Sequence, residues 1–129
     1  MKEGLQVFVE SNRTTKAIII GTRKSDPFGY KMTPFQKTDG DWPAIMRVHP
    51  ILDWDYHDVW KVMFALNIPY CILYDQGYFF VIENVDNFRY TSLGDVHNTL
   101  PNPNLKRADG SYDPAYKLID GSSERAGRI

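Results

Sequence analysis

Residues 17–29 read Ala-Ile-Ile-Ile-Gly-Thr-Arg-Lys-Ser-Asp-Pro-Phe-Gly, and this stretch decides the fold. Ala17, Ile18, Ile19 and Ile20 form a short apolar run that Gly21 stops. Such a run predicts a fully buried strand of a parallel sheet, although periodicity alone leaves a buried helical turn open. Gly21, Thr22, Arg23 and Lys24 then fall at the C-terminal edge of that strand. Open α/β sheets take their ligands at this edge. The expectation is an α/β protein with a site there.

Working outward, residues 4–12 read as the end of a helix. Residues 25–43 are rich in Pro, Gly, Asp and Thr and read as one long loop. Loops of that length tend to be functional or disordered. Phe28, Tyr30, Phe35 and Trp42 favour a packed, ligand-facing loop. Arg47-Val48-His49-Pro50 reads as a second short strand, and Asp53 or Asp55 as the cap of a helix running to about Asn67. Within that helix Tyr56, Val59, Trp60, Met63 and Phe64 recur at the spacing of a core-facing stripe, and Pro69 ends it. Beyond Thr91 the residues are mostly Pro, Asn, Gly and Asp, as in loops. No internal repeat or second domain is visible, so residues 1–129 read as one domain.

The bulk composition narrows the function classes. The chain is 43% hydrophobic and 14% aromatic, which supports one core and argues against disorder throughout. A net charge of −1 gives no general attraction for nucleic acid or anionic lipid. Lys106-Arg107 is only a dipeptide, not a basic stripe. Apolar runs fall short of a membrane span, and the N-terminus lacks the pattern of a secretory signal. Cys71 is the only cysteine, so no internal disulfide forms; it reads as a buried structural thiol in a reducing compartment, the cytoplasm. His49, His57 and His97 are scattered, and His57 with Asp53 reads as a surface pair, so no metal ligand is assigned. The sequence sets no oligomeric state.

Three clusters carry chemistry: residues 21–29, residues 41–47 and residues 124–128. They offer carboxylates, an indole and several guanidinium groups, but no nucleophile with a paired base. That set suits a planar, phosphorylated ligand. A carboxylate accepts from ring N–H groups, an indole gives stacking area, and arginines clamp phosphate oxygens. Phosphoryl-type transfer asks mainly for positioning and charge stabilisation, so a catalytic triad is not required. Taken singly each has a bland reading: Asp26-Pro27 as a turn, Trp42 as core, Arg125 and Arg128 as solvated charges.

The clusters occur together with Pro34-Phe35-Gln36, Thr38-Asp39, Pro50-Ile51-Leu52-Asp53-Trp54 and Asp58-Val59-Trp60. Pro69-Tyr70-Cys71, Leu73-Tyr74-Asp75, Thr91-Ser92-Leu93-Gly94, Asn98-Thr99 and Pro114-Ala115-Tyr116 complete the series. In this order they resemble the eukaryotic FAD synthase (FMN adenylyltransferase) family over nearly the whole chain outside residues 78–89. The resemblance implies a PAPS reductase-like α/β fold, akin to the adenine nucleotide alpha hydrolases and PP-loop enzymes. It implies transfer of AMP from ATP to FMN, with FMN and ATP as substrates, Mg²⁺ accompanying ATP, and FAD and pyrophosphate as products. By the same resemblance Asp26 would meet the polar edge of the isoalloxazine, with Trp42 and Arg47 completing the flavin pocket. Gly21 and Arg23 would line the sheet edge near the nucleotide, and Arg125 and Arg128 would reach the phosphates.

Two departures from the family follow. Its Gly-Gly-Lys-Asp phosphate loop and first strand should precede Ala17, so the chain is expected to be the C-terminal portion only, with little adenylyltransferase activity by itself. Residues 78–89 are an atypical insertion between Gly77 and Tyr90, either a loop excursion or a translated intron, with tyrosine repeated at positions 78 and 90. Two rival functions remain. One is a sulfate-assimilation enzyme of the same fold, although a reductase needs a reactive C-terminal cysteine that the tail lacks. The other is a non-catalytic flavin-binding subunit.

Overall fold

The computed structural model describes residues 2–75 and 100–128. The chain forms two compact units, Met1–Trp54 and Asp55–Ile129.

In the first unit, helix α1 covers Lys2–Ser11 and three strands follow: β1 at Ala17–Ile19, β2 at Phe35–Lys37 and β3 at Met46–Val48. The sheet order is β1-β3-β2. β1 runs parallel to β3, with Ile18 opposite Arg47, and β2 runs antiparallel, with Gln36 opposite Arg47. The sheet is mixed, so the fold is α/β with a parallel pair at its heart. Residues opposite one another share a face. Ile18, Arg47 and Gln36 therefore line one side, while Ile19, Val48 and Phe35 form a row on the other.

Two sequence expectations need correction here. β1 is not fully buried: Ala17 is exposed and Ile19 is 78% exposed. Among the described residues it stands at the sheet edge with β3 as its neighbour. The stretch 25–43 is not one long loop, because it contains a 3₁₀ turn at Gly29–Lys31 and strand β2. A three-residue strand is too short to show a period of its own. Its hairpin partner β3 creates it.

In the second unit, helix α2 spans Tyr56–Ala65. Asp55 is its cap: the Asp55 carboxylate accepts from the Asp58 N–H at 2.8 Å, and the Asp58 carboxylate accepts from the Asp55 N–H at 3.2 Å. The helix stops two residues short of Asn67, which takes φ 50° just before Ile68-Pro69. Tyr56 and Trp60 are buried, and with Leu105, Ala115 and Leu118 they form the core of this unit. Trp60 stacks on Phe64 and meets Tyr56, Tyr70, Tyr74 and Tyr116 edge-on. The expected stripe is thus the packing face, although Phe64 remains half exposed.

Residues 100–128 hold 3₁₀ turns at Pro103–Leu105, Ala115–Lys117 and Gly121–Ser123. Asn102 ties two of them: its Oδ1 accepts from the Asn104 N–H at 2.9 Å and its Nδ2 donates to the Ser123 carbonyl at 2.8 Å. The expected insertion at residues 78–89 lies outside the described residues.

Candidate functional site

The sequence-singled residues of the first unit sit on two turns. The first follows β1. The backbone N–H and Nη2 of Arg23 donate to the two carboxylate oxygens of Asp26, at 2.8 and 2.9 Å. The Asp26 N–H returns to the Arg23 carbonyl at 3.1 Å, and the Gly29 N–H donates to the Asp26 carbonyl at 2.8 Å. A Cβ on Gly29 would stand 1.9 Å from the Arg23 carbonyl oxygen, so only glycine closes this turn. Gly21 differs, since a Cβ there meets only Ile51 Cδ1, at 3.8 Å. Closure leaves Phe28 at φ 65°, the residue being 68% exposed. A bulky side chain in the left-handed region costs of order 1–3 kcal/mol.

The second turn joins β2 to β3. Thr38 pins its base: Oγ1 donates to the Pro43 carbonyl at 2.7 Å and accepts from the Ile45 N–H at 3.2 Å. Inside it Gly40 takes φ 48°, and the Trp42 N–H donates to the Asp39 carbonyl at 3.0 Å. Trp42 is 38% exposed, so it is not a core residue. Arg47 reaches up from β3 and donates from Nη2 to the Lys37 carbonyl at 2.8 Å. It pairs with the Asp39 carboxylate at 3.0 Å, the arginine side chain being 14% exposed and the aspartate 69%.

Each guanidinium thus takes a carboxylate from its own turn: Arg23 from Asp26, Arg47 from Asp39. The acid that stands beside Arg47 and Trp42 is Asp39, which the sequence reading did not single out as a site residue. The register that puts Lys37 opposite Met46 was the signal, and it required β2 to be recognised.

Arg125 and Arg128 belong to the second unit, in the turn after Gly121–Ser123. The Arg128 N–H donates to the Arg125 carbonyl at 2.9 Å. The Leu100 N–H donates to the Gly127 carbonyl at 2.6 Å, and a Cβ on Gly127 would stand 2.1 Å from the Leu100 carbonyl oxygen. Both arginines are part-buried rather than solvated.

Among the described residues, two buried side-chain polar atoms lack a hydrogen-bond partner: Arg47 Nε and Arg128 Nη1. Both belong to arginines marked from the sequence. Buried donors are normally satisfied, and an arginine donor without an acceptor fits an anionic or carbonyl-bearing ligand.

Other features contribute less. A cleft of about 390 Å³ in the first unit is lined by Pro34, Phe35, Val48, His49, Leu52 and Trp54, and none of the marked residues borders it. Cys71 is exposed, which corrects the buried thiol expected above; it lies in extended backbone between α2 and the 3₁₀ turn at Ile72–Tyr74. His57 does not pair with Asp53. Its Nε2 donates to the Leu118 carbonyl at 2.9 Å, while Asp53 pairs with Lys24. No group of three or more His, Cys, Asp or Glu among the described residues is placed to hold a metal ion. No described helix is long and apolar enough to cross a membrane.

The mixed α/β sheet places the chain in the α/β class, and residues 3–101 match the phosphoadenosine phosphosulfate reductase domain family. The chain belongs to that family. Within it, the chain is 47% identical over 128 residues to a probable FAD synthase of Schizosaccharomyces pombe, covering 99% of this chain and 44% of that protein. The Candida glabrata FMN adenylyltransferase solved with ATP superposes at a TM-score of 0.83 with 31% identity, covering 100% of this chain and 55% of that one. The same Candida glabrata enzyme with FMN and the ATP analogue AMPCPP gives 0.81 and 30%, covering 99% and 55%. The chain therefore spans about half the length of the relatives it matches.

Proposed function

We propose that this chain serves the transfer of AMP from ATP to FMN, giving FAD and pyrophosphate. The observation that carries the reading is the β2–β3 turn, which holds part-exposed Trp42 together with the Arg47–Asp39 ion pair. The likeness to an FMN adenylyltransferase solved with FMN and an ATP analogue supports the same ligands. An oxygen of the FMN phosphate forms a bond to the α-phosphorus of ATP, and the bond from that phosphorus to the bridging oxygen breaks. Pyrophosphate leaves with the electron pair. The protein's work is to orient the two phosphates and offset their charge.

Trp42 and Arg47 are assigned to the flavin, Trp42 by stacking and Arg47 by its positive charge on the same turn. Asp26 is assigned to the polar ring edge; with two of about four lone-pair positions taken by Arg23, it retains acceptor capacity. Gly21 and Arg23 are assigned to the nucleotide, Arg125 and Arg128 to phosphate oxygens. Mg²⁺ enters with ATP as part of the substrate. The described side chains do not form a metal cage, and no step above is given to the ion through them. We also assign the protein to the cytoplasm, a reading supported by its single, exposed, unbridged cysteine.

Two measurements test this. FMN titrated into the chain should lose its fluorescence saturably, and Arg47→Ala should abolish the effect. Replacing the matching stretch of the S. pombe relative with these residues should preserve FAD formation from FMN and ATP. A chain that ignores FMN up to millimolar concentration, together with an inactive hybrid, would overturn the reading.

A further inference from the structure

Two non-glycine residues of the described chain hold positive φ, Phe28 and Asn67. Asn67 needs no special account: it follows the last turn of α2, and asparagine tolerates the left-handed region. Phe28 does need one. The turn requires its backbone there, because Gly29 is pressed against the Arg23 carbonyl and the Lys31 N–H donates to the Phe28 carbonyl at 3.1 Å. Glycine or asparagine would meet both demands with less strain. The phenyl ring does not compensate by packing, since Phe28 is mostly exposed. Neither the turn nor the core of the unit explains a phenylalanine at this place.

A ligand with a flat face does explain it. A planar heterocycle is recognised by one group in its plane and another over its face. Asp26, two residues earlier in the same closed turn, has carboxylate lone pairs to offer in the plane. The turn fixes where the Phe28 backbone stands relative to Asp26 through the Gly29 N–H bond to the Asp26 carbonyl. Strained backbone conformations persist where the surroundings over-determine them, and they gather at ligand clamps.

We propose that Phe28 is a flavin-binding residue whose ring stacks on the isoalloxazine of FMN while Asp26 meets the ring edge. This rests on the FMN reading given under Proposed function and adds a residue to it. Phe28 stands exposed on this left-handed backbone. The chain gives up conformational ease at Phe28 in exchange for a stacking surface held ready.

The test uses the full chain with Phe28→Gly, Phe28→Asn and Phe28→Tyr, reading FMN fluorescence quenching and thermal unfolding. Removing the ring by either of the first two should weaken FMN binding by about tenfold. The unfolding temperature should hold or rise as strain is relieved. Phe28→Tyr should bind FMN within about threefold of the parent, because its ring offers the same face. The proposal is overturned if Phe28→Gly and Phe28→Asn bind FMN as the parent does. It is also overturned if all three variants lower the unfolding temperature alike, which would make Phe28 a packing residue. A parent chain that does not bind FMN at all would remove the functional reading itself, a result distinct from parent binding that is indifferent to position 28.

Discussion

Asp39 and Arg47 face one another across the base of the β2–β3 loop, with Arg47 Nη2 3.0 Å from the nearer carboxylate oxygen. The two are unequal partners. Arg47 rises from the middle of β3, largely covered, and its guanidinium also holds the Lys37 carbonyl. Asp39 hangs in solvent at the loop edge. The ion pair aims the arginine, and the arginine fastens the loop.

Stability should therefore respond asymmetrically. Arg47→Ala removes a covered stem and a bond to the backbone and should cost about 1–3 kcal/mol. Asp39→Ala removes an exposed charge and should cost less than about 1 kcal/mol. Urea unfolding of both variants checks this, and equal losses would contradict it.

The glycines of the first turn differ in the same testable way. Gly29→Ala forces a methyl into the Arg23 carbonyl and should cost about 2 kcal/mol or more, opening the 23–29 turn. Gly21→Ala brings only an ordinary contact with Ile51 and should stay within about 0.5 kcal/mol. Thermal unfolding of the two side by side separates a glycine the turn requires from one the fold does not.

In the second unit Asn102, fully buried, acts through both ends of its amide. Asn102→Asp keeps the shape but turns the donor aimed at the Ser123 carbonyl into an acceptor. The expected loss is about 2–3 kcal/mol at neutral pH. Denaturation across pH checks the cause: the loss should shrink in mild acid, where the new carboxyl regains a proton to donate.

The parent chain has its own pH limits. Asp58, Asp109, Asp113 and Asp120 titrate below the ordinary value of 3.8, held down first by side-chain bonds to Lys61, Ser111, Arg107 and Ser122 respectively. Groups depressed in the folded state stabilise above the unfolded value, and that contribution fades as pH falls through the folded one. Acid unfolding should thus begin below about pH 4. Tyr70 moves the other way, to about 12, because its hydroxyl donates to Asp75. Its contribution is complete below pH 10 and is lost as pH climbs toward 12. Ultraviolet titration should find one tyrosine ionising late, and Tyr70→Phe should remove it.

Much of this architecture was legible beforehand. The apolar run at Ala17, the capping aspartate at Asp55 and the Tyr56/Trp60 stripe each rest on local rules, and each marks a real element. What escaped depended on partners distant in sequence. β2 exists because β3 pairs with it, and Asp39 acquires its role only once that hairpin brings Arg47 beneath it. The Phe28 backbone was equally unreadable, since Asp-Pro-Phe-Gly announces a turn without saying which residue bears the left-handed φ. The roles proposed for Asp26, Trp42 and Arg47 toward a flavin rest on family likeness. Their local geometry was supplied by the fold.

Thr38 gives the β2–β3 loop a consequence of another kind. Because its hydroxyl bonds both Pro43 and Ile45, the arc from Asp39 to Trp42 is shut at the neck before any guest arrives. The disorder that an open arc would surrender on docking has already been removed during folding. A hydroxyl that touches no guest can in this way govern how readily one is held.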